Sequence, residues 1–498
     1  MQDFLFMLQA VTSFTVILIA FGGVAWGILG GALPGISPSI AMALLLPLTY
    51  DMQPLHAIIL LASTYVGAEY GGSIPAILIR TPGTNSAAAT TIDGYAMHLQ
   101  GRGGEALGLS LVAGMIGGLF GLILLVLLTE PLAKVALLFT PPAYFALGIL
   151  GLSVISSLSE GALVKGLMAG ILGLMIAVVG TDPMSGVGRF TFRLPELIEG
   201  IPFIIVMVGV FAVAELMSQS ASTDWAGSDT TKLRDTRMKL PSLRTLWRLR
   251  KAQAIGNVVG AFEGVMPGAG GTVAAFLSYN EARRWSKEPE KFGHGSEEGV
   301  VAPEAANNVV ACTALVPTLS FGIPGSNSTA VLLGGLLIHG LQPGPLLFTQ
   351  HPEIVYGLFG GLFVANIGML LIGIAILTPA IWLVNRPKPY LLAFIYALVF
   401  SGVYSIDHSV FDLGMVLAAG AIGYLMRVFG YPFLPLVLGL VLGYMIESNY
   451  RRSLVMTNGD HVVFLEDPIS LLFLAAAVIF VAVAVVREAR MRKRAAAA

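Results

Sequence analysis

Two strings of small polar residues, each directly behind a Pro-Gly pair in apolar sequence, are the parts of this chain best suited to binding chemistry. They are Pro82-Gly83-Thr84-Asn85-Ser86 and Pro324-Gly325-Ser326-Asn327-Ser328. Their hydroxyl and amide groups donate and accept hydrogen bonds without carrying charge. Two further pairs, Pro34-Gly35 and Pro267-Gly268, lead into weaker sets of the same kind, Ser37-Pro38-Ser39 and Gly270-Gly271-Thr272. Proline cannot donate the helical hydrogen bond and biases the preceding residue away from helix, while glycine accepts the positive φ that turns a chain. A helix therefore stops at each pair and another starts behind it. The new helix offers unpaired N–H groups and a dipole worth roughly half a positive charge. That suits carboxylate oxygens without a cationic side chain, which at mid-membrane costs about 2.5–3.5 kcal/mol. The plainer alternative is that Ser and Asn cap helices and glycines allow close packing. It serves any one motif as well, but the four together less well.

Acidic residues in apolar surroundings form a second constellation. Glu69, Asp93, Glu263 and Glu304 lie near the motifs, and an ionisable group within a membrane segment is a functional candidate by default. They are candidates to coordinate Na+ with freed carbonyls or to carry a proton. The alternative is a helix-end place in the headgroup region, which Asp93 before Gly94 fits best. Asn307 and Asn308 are uncharged and suit either a carboxylate or a cation. Lys165 reads as snorkelling to the interface or pairing with Glu160. Cys312 stands alone, which excludes an intrachain disulfide or a cysteine zinc site. His56, His98, His294, His339, His351, His408 and His461 lack a ligand spacing, so neither a catalytic metal nor another cofactor is expected.

Composition fixes the medium in which these residues work. Hydrophobic residues make up 56% of the chain and charged residues 11%, the latter about half of what soluble domains carry. Mean hydropathy is +0.82. Apolar runs at 14–33, 105–129, 143–158, 162–180, 198–217, 354–384, 389–406, 411–426, 431–447 and 468–486 mostly have the length that a spanning helix needs. With the interrupted pieces they predict an all-α polytopic membrane protein of roughly 10–14 spanning or half-spanning helices. A barrel would need alternating polarity, which these runs lack. The net charge of −1, without a basic domain, gives no sign of nucleic acid as a partner. The N-terminus lacks a secretory cleavage pattern, so the run 14–33 is expected to stay as structure.

The motifs recur. Gly27-x-x-x-Gly31-x-x-Pro34-Gly35 is matched by Gly260-x-x-x-Gly264-x-x-Pro267-Gly268, and Pro75 and Pro317 each stand seven residues before the next Pro-Gly pair. Aligned on Pro34 and Pro267 the offset is 233, and on Pro82 and Pro324 it is 242. The nine extra residues find a home in the charged segment 281–298, which reads as a surface loop. Paired, interrupted apolar segments in two halves point to the substrate site of a secondary transporter. An inverted or a parallel axis depends on the number of crossings between the halves, and the inverted one is favoured. The division expected is a first half, 1–217, with motifs at 27–39 and 69–94; a basic linker, 218–254; a second repeat, 255–350, with motifs at 260–272 and 304–329; a C-terminal scaffold, 351–486; and a basic tail, 487–498. By the positive-inside rule the linker and tail are cytoplasmic. Arg451 and Arg452 then fall outside, against that scheme.

The stretches GALPGISPS, YVGAEYGGSIPAILIRTPGTNSAAATTIDGYAM, EGVMPGAGGTVAAFLSYNEARR, FGHGSEEGVVAPEAANN and PTLSFGIPGSNSTAVLLGGLLIHGLQPGP resemble the large membrane subunit, TctA, of the tripartite tricarboxylate transporters. The resemblance covers nearly the whole chain. It implies a carrier of the bacterial cytoplasmic membrane that works with a small four-helix membrane subunit and a periplasmic carboxylate-binding protein. It also implies a Na+ or proton gradient as driving force, and the absence of GxxxxGK[ST] agrees with that. A homodimer through the scaffold is a further expectation. The other classes weighed are an anion channel, which would want a pore ring from several subunits, and an intramembrane enzyme. The enzyme finds no His-x-x-Glu-His, Gly-x-Ser-x-Gly or paired-aspartate motif here.

Overall fold

A computed structural model describes residues 2–33, 35–158, 163–182, 185–221, 237–266, 270–384 and 388–497. Pro34, Pro267, Gly268, Glu160 and the linker residues 222–236 lie outside the described residues. Among those described, nine helices are long and apolar enough to cross a bilayer, and four shorter apolar helices accompany them. Among the described residues strand is confined to the short pair Gly180–Thr181 and Gly188–Arg189. In hydrocarbon each backbone polar group needs an internal partner, which helices supply. The protein is an all-α polytopic membrane protein.

The chain breaks where proline and glycine stand. Phe14–Ala32 ends at Leu33, Gly35 turns the chain at φ 88°, and Pro38–Ala43 starts behind Ser37, whose hydroxyl accepts the Ile40 N–H. The Trp26 indole donates to Ala41 O at 2.9 Å, so the short helix folds back along the longer one as a hairpin. Next comes a bent helix, Pro54–Gly71 continued by Ser73–Ile79. Pro75 removes the N–H that would reach the Gly71 carbonyl, which accounts for the bend. Arg80 closes it in the left-handed conformation at φ 58°. An extended return lays the Gly83 N–H on Gly72 O at 3.0 Å, and Ala88–Leu99 starts from that interior level. A long helix, Gly103–Ala136, follows.

The same order of elements follows the linker. Leu243–Val265 leads to Gly270–Trp285, and Glu297–Thr313 continues as Leu315–Phe321. Gly322 closes this second bent helix at φ 72°, at the place matching Arg80. An interior start at Asn327–Ile338 and a long helix, Pro352–Val384, complete the set.

Small residues decide which helices touch and in which direction they run. Gly23, Gly27 and Gly31 lie against Leu60, Thr64 and Ala68 in that order, so Phe14–Ala32 and Pro54–Gly71 run side by side the same way. Gly256, Gly260 and Gly264 meet Ala302, Ala306 and Val310 likewise. Between the two sets the direction reverses, for Glu69 meets Asn307 while Ser73 meets Glu304. The long helices cross over. Gly103–Ala136 runs along Glu297–Thr313, with Gly114 at Asn308 and Gly121 at Cys312. Pro352–Val384 runs along Pro54–Gly71, with Gly357 at Leu55 and Gly361 at Ile59.

That crossing redistributes the helices expected from sequence. Pro352–Val384, read as the start of the scaffold, packs among the motif-bearing helices of the first half. Conversely, Pro141–Leu158, Leu163–Ala177 and 203–221 of the first half pack with Val410–Val428, Phe433–Met456 and Pro468–Ala497. Hydropathy cannot reveal such pairings, because every face in question is apolar. Arg451 is held by Asp182 and Glu447, both at 2.7 Å, and Arg189 joins Glu447 at 2.6 Å. The arginine that stood against the orientation scheme is thus part of an ion network.

Candidate functional site

The two return loops meet at one helix. On Pro54–Gly71, Tyr65 and Glu69 stand one turn apart and are both buried. Glu69 Oε2 accepts hydrogen bonds from Ser86 Oγ at 2.7 Å and from Asn307 Nδ2 at 2.9 Å. The Tyr65 hydroxyl lies 3.4 Å from Ser326 Oγ. One face of one helix thereby joins the loop after Pro82-Gly83 to the loop after Pro324-Gly325. The start of Gly270–Trp285 also arrives, since a Cβ at Gly271 would lie 3.5 Å from the Ser86 Cβ and press on the Asn307 side-chain oxygen. The lack of a side chain at this position leaves that oxygen, buried and without a hydrogen-bond partner among the described residues, facing Gly271.

Within the loops the small polar residues divide their work. Thr84 Oγ1 accepts the Ala87 N–H and lies 3.1 Å from Ser86 Oγ. Gly83 fits because a side chain there would strike the Gly31 carbonyl. Ser326 and Thr329 form a reciprocal cap at the start of Asn327–Ile338, so capping is a real part of the role of Ser326. Ser328 is buried beside them. Asn85 and Asn327 differ from these neighbours in being exposed. At matching places in the two loops, they present their amide groups at the starts of Ala88–Leu99 and Asn327–Ile338. Gly35 is exposed at the tip of the first hairpin, facing Glu215 and Gln219, and Ser37 bonds to Ser39 at 2.8 Å. Thr272 lies in the first turn of Gly270–Trp285.

The remaining acidic candidates separate. Glu304 is buried, and its Oε1 accepts from Ser73 Oγ at 2.5 Å and from the Thr90 hydroxyl. Asn308 donates to Glu304 O at 3.0 Å. Asp93 is not at the loops. Its Oδ1 accepts the N–H groups of Gly293, Gly295 and Ser296 at 2.7–2.9 Å, and its Oδ2 accepts the Tyr279 hydroxyl at 2.8 Å. It pins residues 293–296 to the middle of Ala88–Leu99, so it is not the helix-end residue that its place before Gly94 suggested. Glu263 is half-buried near the end of Leu243–Val265. Sequence reading missed Tyr65, Ser73, Thr90 and Ser110. Tyr65 and Ser73 stand four residues to either side of Glu69, a helical spacing that could have flagged them.

Broken helices whose loops meet at one buried polar cluster define a multi-pass, all-α membrane protein. The chain belongs to the tripartite tricarboxylate transporter TctA family, whose family model matches residues 17–438. It is 37% identical over 486 residues, 96% of this chain and 94% of the relative, to an uncharacterized 52.8 kDa protein in the TAR-I ttuC' 3' region of Agrobacterium vitis. It is 33% identical over 236 residues, 47% of this chain and 97% of the relative, to an uncharacterized protein in the TAR-II ttuC' 3' region of the same organism. No solved structure matches it. Family membership makes the chain a subunit of a tripartite transporter.

Proposed function

We propose that this chain is the translocating subunit of a secondary importer for a tricarboxylate or related carboxylate, driven by a Na+ or proton gradient across a bacterial cytoplasmic membrane. The observation that carries the reading is the link Ser86, Glu69, Tyr65, Ser326, which brings two oppositely directed return loops to one interior level. The two halves form an inverted repeat in this reading. Carboxylate oxygens are received by the N–H groups at the starts of Ala88–Leu99 and Asn327–Ile338 and by the Asn85 and Asn327 amides. Buried in protein, such interrupted backbone is tolerated at membrane depth. Glu69, Glu304, Asn307 and Asn308 are the groups retained for cation coupling.

The C-terminus and linker lie on the cytoplasmic side, which puts 448–467 and the Gly180–Arg189 turn on the outer side. A periplasmic binding protein docks there and delivers substrate, a small four-helix subunit completes the membrane part, and two copies associate through the helices remote from the loops. Uptake of radiolabelled citrate by proteoliposomes tests the reading, with and without binding protein and under imposed Na+ or proton gradients. The expected result is saturable, gradient-dependent uptake that needs the binding protein and no nucleotide. Full-rate uptake without the partner, or uptake that requires ATP, would overturn it.

A further inference from the structure

Glu304 sits in a second polar pocket, one turn along its helix from the loop site. Its Oε1 accepts two hydroxyl hydrogen bonds, from Ser73 and Thr90, whereas its Oε2 is buried and has no partner. Ser110 on Gly103–Ala136 stands beside the same carboxylate, its hydroxyl buried and making no well-formed hydrogen bond among the described residues. The Tyr70 hydroxyl, also unpartnered, is within electrostatic reach of the carboxylate. Bare oxygens continue along the same long helix, where Gly114 and Gly118 leave space for the side chains of Asn308 and Asn366, each with an unpartnered Oδ1. A buried carboxylate is costly to hold unless an opposite charge attends it. Here the surroundings are hydroxyls and amides, and Glu69 contributes a second carboxylate within electrostatic reach.

We propose that Glu304 Oε2, with the Ser110 hydroxyl, receives one Na+ ion in a pocket separate from the carboxylate loops. The donors are all oxygen, as a hard cation requires. A single carboxylate fits a single charge, and no group of three or more His, Cys, Asp or Glu suited to a metal ion exists among the described residues. The pocket is built from both halves, with Ser73, Thr90 and Ser110 from the first and Glu304 from the second. An ion in it therefore fixes the bend of 54–79 against Glu297–Thr313, directly beneath Ser86 and Glu69. That is a physical route by which the ion orders the loop site.

The inference rests on the cation-coupled reading above, but its test needs neither transport nor a carboxylate. Purified full-length protein in lipid nanodiscs is equilibrated with 22Na+ at pH 8, and competition is measured with NaCl and KCl. The expected result is saturable binding of about one ion per chain, displaced by NaCl and not by KCl. Glu304→Gln should weaken it by more than about tenfold, and Ser110→Ala by about threefold to tenfold. Asn85→Leu, which alters only the carboxylate loop, should leave it unchanged. Ser110→Ala and a monodisperse elution profile keep the test valid if Glu304→Gln folds poorly. No saturable 22Na+ binding by the unaltered protein, or binding indifferent to both pocket substitutions, would sink the proposal. Loss of carboxylate uptake in Asn85→Leu with Na+ binding intact would separate the two sites.

Discussion

Asp93 and Asn85 stand eight residues apart and illustrate two different uses of a polar side chain in an apolar protein. Asp93 is completely buried, with three backbone N–H groups and a tyrosine hydroxyl directed at it. Removing it orphans those donors, and each buried unsatisfied group costs about 1–3 kcal/mol. Asp93→Ala should therefore lower stability by about 2–5 kcal/mol and open the segment 286–296 to proteolysis. Asp93→Asn, which keeps an acceptor oxygen, should do less. Thermal unfolding and limited trypsin digestion in detergent measure both effects. Asn85 is exposed, so Asn85→Leu and the matching Asn327→Leu should leave unfolding temperature nearly unchanged while abolishing carboxylate uptake. Uptake within about twofold of the unaltered protein in either variant would remove that asparagine from the site.

Helix pairing rests on glycine faces that leave no room for a side chain. A Cβ at Gly27 would lie 2.8 Å from the Ala68 nitrogen and closer still to the Thr64 carbonyl, and at Gly260 it would lie 2.5 Å from the Ala306 carbonyl. Overpacking of this kind costs about 1–3 kcal/mol for small additions. Gly27→Ala and Gly260→Ala should be destabilised by that amount, and the leucine variants should fail to yield folded protein. Gly22, with nothing within 4 Å of its would-be Cβ, should accept leucine, as fluorescence-detected chromatography of all these variants would show. The same glycines were legible in the sequence, because Gly-x-x-x-Gly ahead of Pro-Gly marks both close packing and a break. So were the return loops, since proline and glycine act on the backbone locally. The partners of Glu304 were not legible. Ser73, Thr90 and Ser110 come from three different helices, and only the bend at Pro75 and the packing of Gly114 on Asn308 bring them together. The pairing of Pro352–Val384 with the first half escaped for a related reason, as a uniformly apolar helix carries no address in its sequence.

At the scale of the whole molecule the helices sort into two interlocked groups, each drawing on both halves of the chain. One holds the four interrupted segments and the two long helices, 14–136 with 243–384. The other joins 141–221 to 388–497. One contact between them falls close to the second return loop, where a Cβ at Gly151 would lie 3.5 Å from Ile323. Ile323 directly precedes Pro324-Gly325, so movement of one group past the other would carry the site loops with it. A site enclosed in one body that slides along another needs no large rearrangement of its own polar contacts, which matters where each broken hydrogen bond is expensive. Cys312 is buried elsewhere, so an engineered pair, Gly151→Cys with Ile323→Cys, would place two thiols across this contact. Oxidation of that pair should stop carboxylate uptake in proteoliposomes, and reduction should restore it, while Na+ binding at Glu304 persists in both states. Uptake undiminished after verified cross-linking would mean that the two groups do not move past each other at this contact, and the loops would then have to open by themselves.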